Sequence, residues 1–208
     1  MNEKGPGTLR PGGRTARTRA AVLDAVIAEL TEHGYADASV ERVAQRAGIA
    51  KTTIYRRWGG LGGLLAELMA GYAAQEIPEP DEGNLGSDLR ALSRAVTAAI
   101  AQPAVGAAFA SIVAAAAQDP AAREMLSRFI TARAAAMSVI VDRAAHRGEV
   151  PDGIDAAEVI KTLTAQLYFR LFVAGDPLTE AVADRAAAIA AAAARGGALG
   201  AAPGSWRG

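Results

Sequence analysis

The sequence predicts an all-α protein of about nine helices, with a three-helix helix-turn-helix head followed by a helical body. Three observations predict it. Of 208 residues, 51% are hydrophobic, much of that alanine, and 5% are aromatic; Ala-rich sequence with little Val-Ile-Thr alternation favours closely packed helices over sheets. Apolar residues recur at i, i+3, i+4 and i+7 in segment after segment. Gly34, Gly48, Pro120, Gly148 and Pro177 stand at the ends of those segments, where helices start and stop.

The elements follow in order. Residues 1–13 are rich in Gly, Pro and charge and are expected to form a flexible arm. Leu23, Val26, Ile27 and Leu30 mark the apolar stripe of a first helix from about Thr15 to His33, which Gly34 ends. Ser39 reads as an N-cap for a second, two-turn helix carrying Val40, Val43, Ala44 and Ala47. Gly48 stops that helix and Ile49 plugs the turn. A third helix runs from Lys51 to Trp58, anchored by Ile54 and Trp58. Two short helices joined by a tight glycine turn make a helix-turn-helix.

A fourth helix, about 61–75, turns Leu64, Leu65, Leu68 and Tyr72 inward, completing a head over 14–76. The stretch IPEPDEGNLGS, 77–87, marks the boundary to a body over 77–195. Body helices are expected at about 86–101, 104–117, 120–147, 155–174 and 178–194, and the tail 196–208 is expected to be disordered. Asp119-Pro120 reads as a cap followed by proline at the first helical position, and Asp155 as another cap.

Formal net charge is zero, but residues 1–70 carry ten Lys/Arg against seven Asp/Glu, so the basic excess lies in the head. With no cysteine, disulfides and thiolate metal sites are excluded, and no cofactor or metal is expected. The N-terminal MNEKGPGTLRPGGR has no apolar signal-peptide core. The longest apolar run, 103–117, falls short of the roughly 20 residues a membrane span needs. A soluble, cytoplasmic protein is expected.

The chemistry concentrates on AKTTIYRRW, 50–58. With Ile54 facing the core and 100° per residue, Thr52 and Arg56 point directly outward, flanked by Thr53 and Tyr55. An exposed helix of this size fits the DNA major groove. Arg56 can donate in bidentate fashion to guanine, and Thr52 can serve as donor, acceptor or methyl partner. Lys51, Thr53, Tyr55 and Arg57 can bond phosphates, which set register without reading sequence. Arg14, Arg17 and Arg19 add cations near the start of the first helix, and Ser39 completes the DNA-facing set. Taken alone, KTTIYRRW reads equally as a solvated amphipathic helix.

The composite stretch GYADASVERVAQRAGIAKTTIYRRW, 34–58, resembles the second and third helices of the tetracycline-repressor (TetR) family of bacterial transcription regulators. It includes the family's Ala-Gly-apolar turn and its Ile-Tyr pair, and the resemblance spans about residues 14–70. It implies a sequence-specific DNA-binding regulator, more a repressor than an activator, released from a palindromic operator by a small-molecule effector. It also implies a homodimer paired through the last two helices. Lys51, Thr52, Thr53, Tyr55, Arg56 and Arg57 occupy the family's recognition positions. Two positions depart from the pattern. Ala50 stands where Ser or Thr usually caps the third helix. Gly60 and Leu61 stand where the family often places a polar residue and a phosphate-gripping lysine. The glycines at 59, 60, 62 and 63 are read either as loosening the link between head and body or as drift without purpose.

In the body, the 155–174 helix is apolar on two sides and must be covered on both. Val159, Phe169 and Val173, with Leu178, Val182 and Ile189 of the last helix, are the candidate dimer interface. Candidates for an effector pocket are Phe109, Ile112, Met125, Phe129, Met137, Tyr168 and Phe172, with Arg133, Gln166 and Tyr168 as polar handles; such a lining favours an apolar or aromatic ligand. Two competing readings stand beside this one. An all-helical enzyme is weakly supported: the two histidines, His33 and His146, lie far apart near helix ends, and no catalytic motif occurs. A ligand-binding dimer with a vestigial head draws support from Ala50 and Leu61.

Overall fold

The computed structural model describes residues 13–73 and 79–200. The head comprises α1 (Gly13–His33), α2 (Val40–Ala47), α3 (Lys51–Trp58) and α4 (Leu61–Ala73). The body follows as α5 (Leu85–Ile100), α6 (Pro103–Gln118), α7 (Pro120–Met137), α8 (Val139–His146), α9 (Ala156–Tyr168) with a π-helical continuation (Phe169–Ala174), and α10 (Glu180–Arg195). The expected arm lies outside the described residues except for Gly13, and so do residues 74–78, which the expected fourth helix partly covers.

The helix ends follow local chemistry. Ser39 Oγ accepts from the Arg42 amide at 3.4 Å, and Asp119 Oδ1 accepts from Ala121 N at 2.9 Å just before Pro120. Asp155 Oδ1 accepts from Glu158 N at 3.0 Å. Between α2 and α3, Gly48 adopts φ +67°. The Ile49 amide reaches back to Ala44 O at 3.0 Å and the Gly48 amide to Gln45 O at 3.2 Å, the pair of bonds that closes a Schellman turn.

Two body helices depart from their expected form. The segment expected as one helix over 120–147 breaks at Ser138, whose hydroxyl donates to Ala134 O at 2.9 Å while its amide tightens onto Ala135 O. A serine bonding back one turn bends a helix. Counted as one broken helix, α7 and α8 bring the described elements to the nine expected. The segment expected as a helix to 174 widens into a π turn from Phe169, stopped by Gly175 at φ +71°. The Asp176 amide bonds Arg170 O, and Arg170 Nη1 pairs with Asp176 Oδ2 at 3.0 Å.

The body's core is built by α5, α8, α9 and α10. Leu85, Leu89, Leu92, Ile140, Val159, Leu163 and Leu167 are fully buried, and Ala183, Ala186, Ala187, Ala190, Ala191 and Ala194 press α10 against α5 and α9. Ser93 Oγ donates to Ala183 O at 2.8 Å, and the Arg94 guanidinium grips both oxygens of Asp184 at 2.7 and 2.8 Å. The first residues of the expected disordered tail, 196–200, are placed against the body. Gly200 bridges Ile154, Asp155 N donates to Leu199 O at 2.8 Å, and Leu199 packs on the core. Residues 201–208 lie outside the described residues.

The second core does not respect the expected boundary between head and body. Val22, Val26, Leu30, Val43, Ile54, Leu64 and Leu65 of the head cluster with Ala108, Phe109 and Ile112 of α6 and Met125 of α7. Tyr35, just after α1, reaches Asp119 across this seam, its hydroxyl donating to Oδ2 at 3.1 Å. Ser111 Oγ donates to Leu30 O at 3.3 Å. Helices α6 and α7 thus close the head's core as well as serving the body. No single helix among the described residues is long and apolar enough to cross a membrane; α5 and α6 qualify only together and bend by 87°.

Candidate nucleic-acid interface and body pocket

The orientation of α3 is the first feature of the site. Ile54 is 0% exposed and fixes which face is covered; Thr52, Arg56, Tyr55, Lys51 and Arg57 are exposed, and Thr53 and Trp58 are half-buried. Thr52 and Arg56 stand outward, as 100° steps from Ile54 require. Ala50 makes no side-chain cap, so the first amides of α3 lack that partner.

The head's cations are partly answered from within. Arg42 Nη2 lies 2.5 Å from Glu29 Oε1, Arg46 Nη2 2.5 Å from Glu32 Oε2, and Lys51 Nζ 3.3 Å from Glu41 Oε1; Arg19 pairs with Glu67. Arg57 stacks 5.0 Å above the Trp58 ring. Among the described residues Arg56 has neither an ion-pair partner nor a ring, so its charge is available to a ligand. Glu29 is wholly buried. Burial pushes its carboxyl up, but hydrogen bonds from Arg42 and the Ser39 amide outweigh this and hold it below the ordinary 4.5. It ties α1 to the start of α2. Ser39 itself is occupied as that helix's cap. Arg17 lies on the exposed start of α1, and the side chain of Arg14 lies outside the described residues.

Three of the four glycines after α3 answer a local backbone requirement. Gly59 takes φ +75° and Gly60 φ +123°, backbone that other residues adopt only under strain. Gly60 is buried, and a Cβ there would meet the Tyr55 ring at 3.5 Å. Gly63 sits against the last turn of α3, where a Cβ would lie 2.6 Å from the Trp58 carbonyl carbon and inside the shell of its oxygen. Of the four, Gly62 has open space around it. The cluster makes a close corner between α3 and α4.

Helix α4 runs from that corner to Tyr72, which lines a pocket in the body. The pocket holds about 750 Å³ of space, part of it open to solvent. Phe109 on α6 organises its aromatic wall, stacking on Tyr168 at 5.5 Å and meeting Phe129 edge-on at 5.4 Å. Leu92, Val96 and Ile100 of α5, Met137 of α7 and Ile160 of α9 complete the apolar lining. Its polar groups among the described residues are Tyr72, Arg133, Thr164 and Tyr168. The Tyr72 hydroxyl is buried and has no hydrogen-bond partner. Burial raises the Tyr72 phenol, and raises the Tyr168 phenol against the opposing pull of Arg133. Burial also lowers the Arg133 guanidinium, with Tyr168 acting the other way.

Of the pocket residues expected, Phe109, Phe129, Arg133, Met137 and Tyr168 line it together. Four do not. Ile112 is wholly buried in the core between head and body. Met125 faces a separate cleft near Tyr35 and Asp119. Phe172 stands behind the wall, stacked on Phe109 at 5.6 Å. Gln166 is exposed, because α9 turns it to the side opposite Leu163 and Leu167. Tyr72, Leu92, Val96 and Thr164 were missed. A tyrosine on the apolar face of α4 is itself a signal, since its hydroxyl needs a partner when buried.

The expected dimer face is also revised at one position. Val159 is 0% exposed in the core of its own subunit and offers nothing to a partner. Phe169 is 60% exposed, Val173 69% and Ile189 44%, while Leu178 and Val182 are half-buried against the core. Gln166, Phe169 and Val173, at i, i+3 and i+7, share one outward strip.

Comparison with known proteins places this architecture among relatives. Residues 22–68 match the family described as bacterial regulatory proteins, tetR family, and residues 79–196 match the tetracyclin repressor-like C-terminal domain. The HTH-type transcriptional regulator AqdR of Rhodococcus erythropolis is 33% identical over 150 residues, 72% of each chain. The crystal structure of the TetR family transcription regulator SCO0332 superposes with a TM-score of 0.64 at 25% identity, covering 85% of this chain and 97% of that one. GusR of Salmonella enterica superposes with a TM-score of 0.72 at 21% identity, covering 85% and 95%.

Proposed function

The chain belongs to the TetR family of bacterial DNA-binding transcription regulators, and from that membership we propose that it is a dimeric repressor which leaves a palindromic operator when a small molecule fills the body's pocket. The observation that carries the DNA half is the face of α3: Ile54 buried, Thr52 and Arg56 outward, and Arg56 without an ion-pair partner among the described residues. In this reading Arg56 and Thr52 touch base edges, while Lys51, Thr53, Tyr55 and Arg57 hold phosphates. The strip of Phe169 and Val173 with Ile189 supports pairing through α9 and α10. A two-fold pair sets its two reading helices about 34–36 Å apart on successive major grooves.

The pocket half rests on α4, which joins the corner with α3 to Tyr72 in the pocket wall. A ligand that repositions Tyr72 acts on the reading helix through one rigid element. The absent lysine at Leu61 and the uncapped Ala50 predict weaker DNA binding per subunit than a head with both would show. The test is fluorescence anisotropy of the full chain on DNA from upstream of its own gene, in a salt series. Saturable, sequence-selective binding that weakens steeply with salt supports the proposal. Binding without sequence preference, or none at all, points instead to a ligand-binding dimer with a vestigial head.

A further inference from the structure

The head and the body meet along a seam that is packed at one place and open at another. Where α1 lies on α6, Val22 and Leu30 cluster with Ala108, Phe109 and Ile112, and Ser111 donates to the Leu30 carbonyl. Where α4 faces α7, a cleft of about 470 Å³, part of it open to solvent, lies between Gly62, Leu65 and Ala66 and, opposite them, Ala122 and Met125. Packed side chains resist displacement, whereas surfaces across a gap have few contacts to lose. Tyr35 and Asp119 line the same cleft, joined by the 3.1 Å bond that crosses the seam.

Both ends of that bond sit at turns. Asp119 joins α6 to α7: its amide donates to Ala115 O at 2.8 Å, its Oδ1 caps α7, and its Oδ2 accepts from Tyr35. Those two helices carry Phe109, Phe129 and Met137 of the pocket wall. Tyr35 follows Gly34 at the end of α1. Its carbonyl accepts from Ala38 N at 3.2 Å, next to Ser39, whose amide donates to Glu29. Burial, then the Asp119 carboxylate, raise the Tyr35 phenol, so it remains the donor at neutral pH.

We propose that the head rocks on the packed α1–α6 contact, opening and closing the cleft, and that Tyr35 is a positioning residue whose bond to Asp119 holds the head in its DNA-reading position. Such a bond biases one arrangement of a two-state joint, so removing it shifts the balance by at most what the bond is worth. For a single hydrogen bond that is a change of about threefold to tenfold in the equilibrium. Asp119 moves with the α6–α7 turn, so a shift of the pocket wall reaches the head here as well as through α4. The consequence for DNA rests on the reading of α3 proposed above; the rocking does not.

The test measures head-to-body distances in the full chain. The sequence has no cysteine, so spin labels attach only at Gln45→Cys on α2 and Ala98→Cys on α5, both exposed. Dilution into excess unlabelled protein keeps each measured pair within one chain. Tyr35→Phe keeps the ring and should broaden or shift the distance distribution. Asp119→Ser leaves one oxygen for the cap and none for Tyr35, so it should do the same, and combining the two should add nothing. Asp119→Asn still caps and still bonds the Tyr35 hydroxyl, so it should match the unaltered protein. On upstream DNA, unlabelled Tyr35→Phe should bind about threefold to tenfold more weakly than the unaltered protein. Unchanged distances in folded Tyr35→Phe and Asp119→Ser overturn the proposal, as does equal broadening from Ser111→Ala, which cuts a bond at the packed contact. Broadened distances with unchanged DNA affinity overturn the positioning role. If the unaltered protein binds no DNA, the repressor reading fails and the distances alone decide this inference.

Discussion

Gly63→Ala probes the corner on which the DNA-reading helix sits. The new methyl would stand 2.6 Å from the Trp58 carbonyl carbon and 3.2 Å from its Cα, with the oxygen nearer still. These are backbone atoms, so no side-chain rotation relieves the clash. Restoring ordinary contact requires the last turn of α3 to retreat by about 1 Å or more from α4. Overpacking of this kind costs about 1–3 kcal/mol, against a helix-propensity gain from replacing glycine of about 1 kcal/mol at most. The net expectation is a loss of about 1–2 kcal/mol, together with weaker DNA binding because Thr52 and Arg56 move with the turn. Gly62→Ala is the matched control. A Cβ there meets nothing within 4 Å, so the same substitution should be neutral or stabilising by up to about 1 kcal/mol. Urea denaturation of both variants, with anisotropy on upstream DNA, reads the difference. A Gly63→Ala protein as stable as Gly62→Ala and equal to it in DNA affinity would refute the close-corner reasoning.

Further expectations concern the DNA face, the interface and acid stability. Arg56→Ala should cost about 1–3 kcal/mol on a specific site and relax base preference, while Arg57→Ala should weaken binding evenly across sequences; equal loss of specificity from both would refute this division, as read by competition with mutated sites. Phe169→Glu should shift the protein toward monomer in sedimentation velocity and lower DNA affinity with it, leaving secondary structure intact. Burial pushes up the carboxyls of Glu29, wholly covered, and Glu149, partly covered, yet bonds from Arg42 and the Ser39 amide, and from the Leu85 amide and Arg147, hold both below 4.5. A carboxyl depressed in the folded state stabilises above its unfolded value, and that stability is lost as pH falls through the folded one. Unfolding free energy should therefore decline on acidification below about 5, and Glu29→Gln should flatten the decline.

The sequence carried the head almost whole. Ser39, Gly48 and Ile54 are each read by local rules: a cap, a left-handed stop, and a period of 3.6 that turns Thr52 and Arg56 outward. Local rules are weaker where the outcome depends on distant neighbours. Ser138 breaks α7 from α8 through a hydroxyl bond that periodicity does not register. Val159 and Phe169 both looked like interface from the helix pattern, and only the packing of α10 over α9 decides that one is core and the other surface. The need for glycine at 63 is a contact between two helices, invisible in a run of residues that reads as flexible. In the pocket, Phe109 and Tyr168 were legible as large apolar groups, whereas Tyr72 belongs to a helix assigned to the head and arrives by tertiary approach.

The core shared by α1, α4, α6 and α7 bears on engineering. Regulators are commonly re-targeted by splicing one protein's reading segment onto another's sensor. Here a cut near residue 77 would strip Phe109, Ile112 and Met125 from Val22, Leu30 and Leu65, leaving both fragments with a bare greasy flank. A chimera that keeps these contacts must carry matching surfaces from α6 and α7 along with the transplanted segment, or exchange only the outward residues of α3.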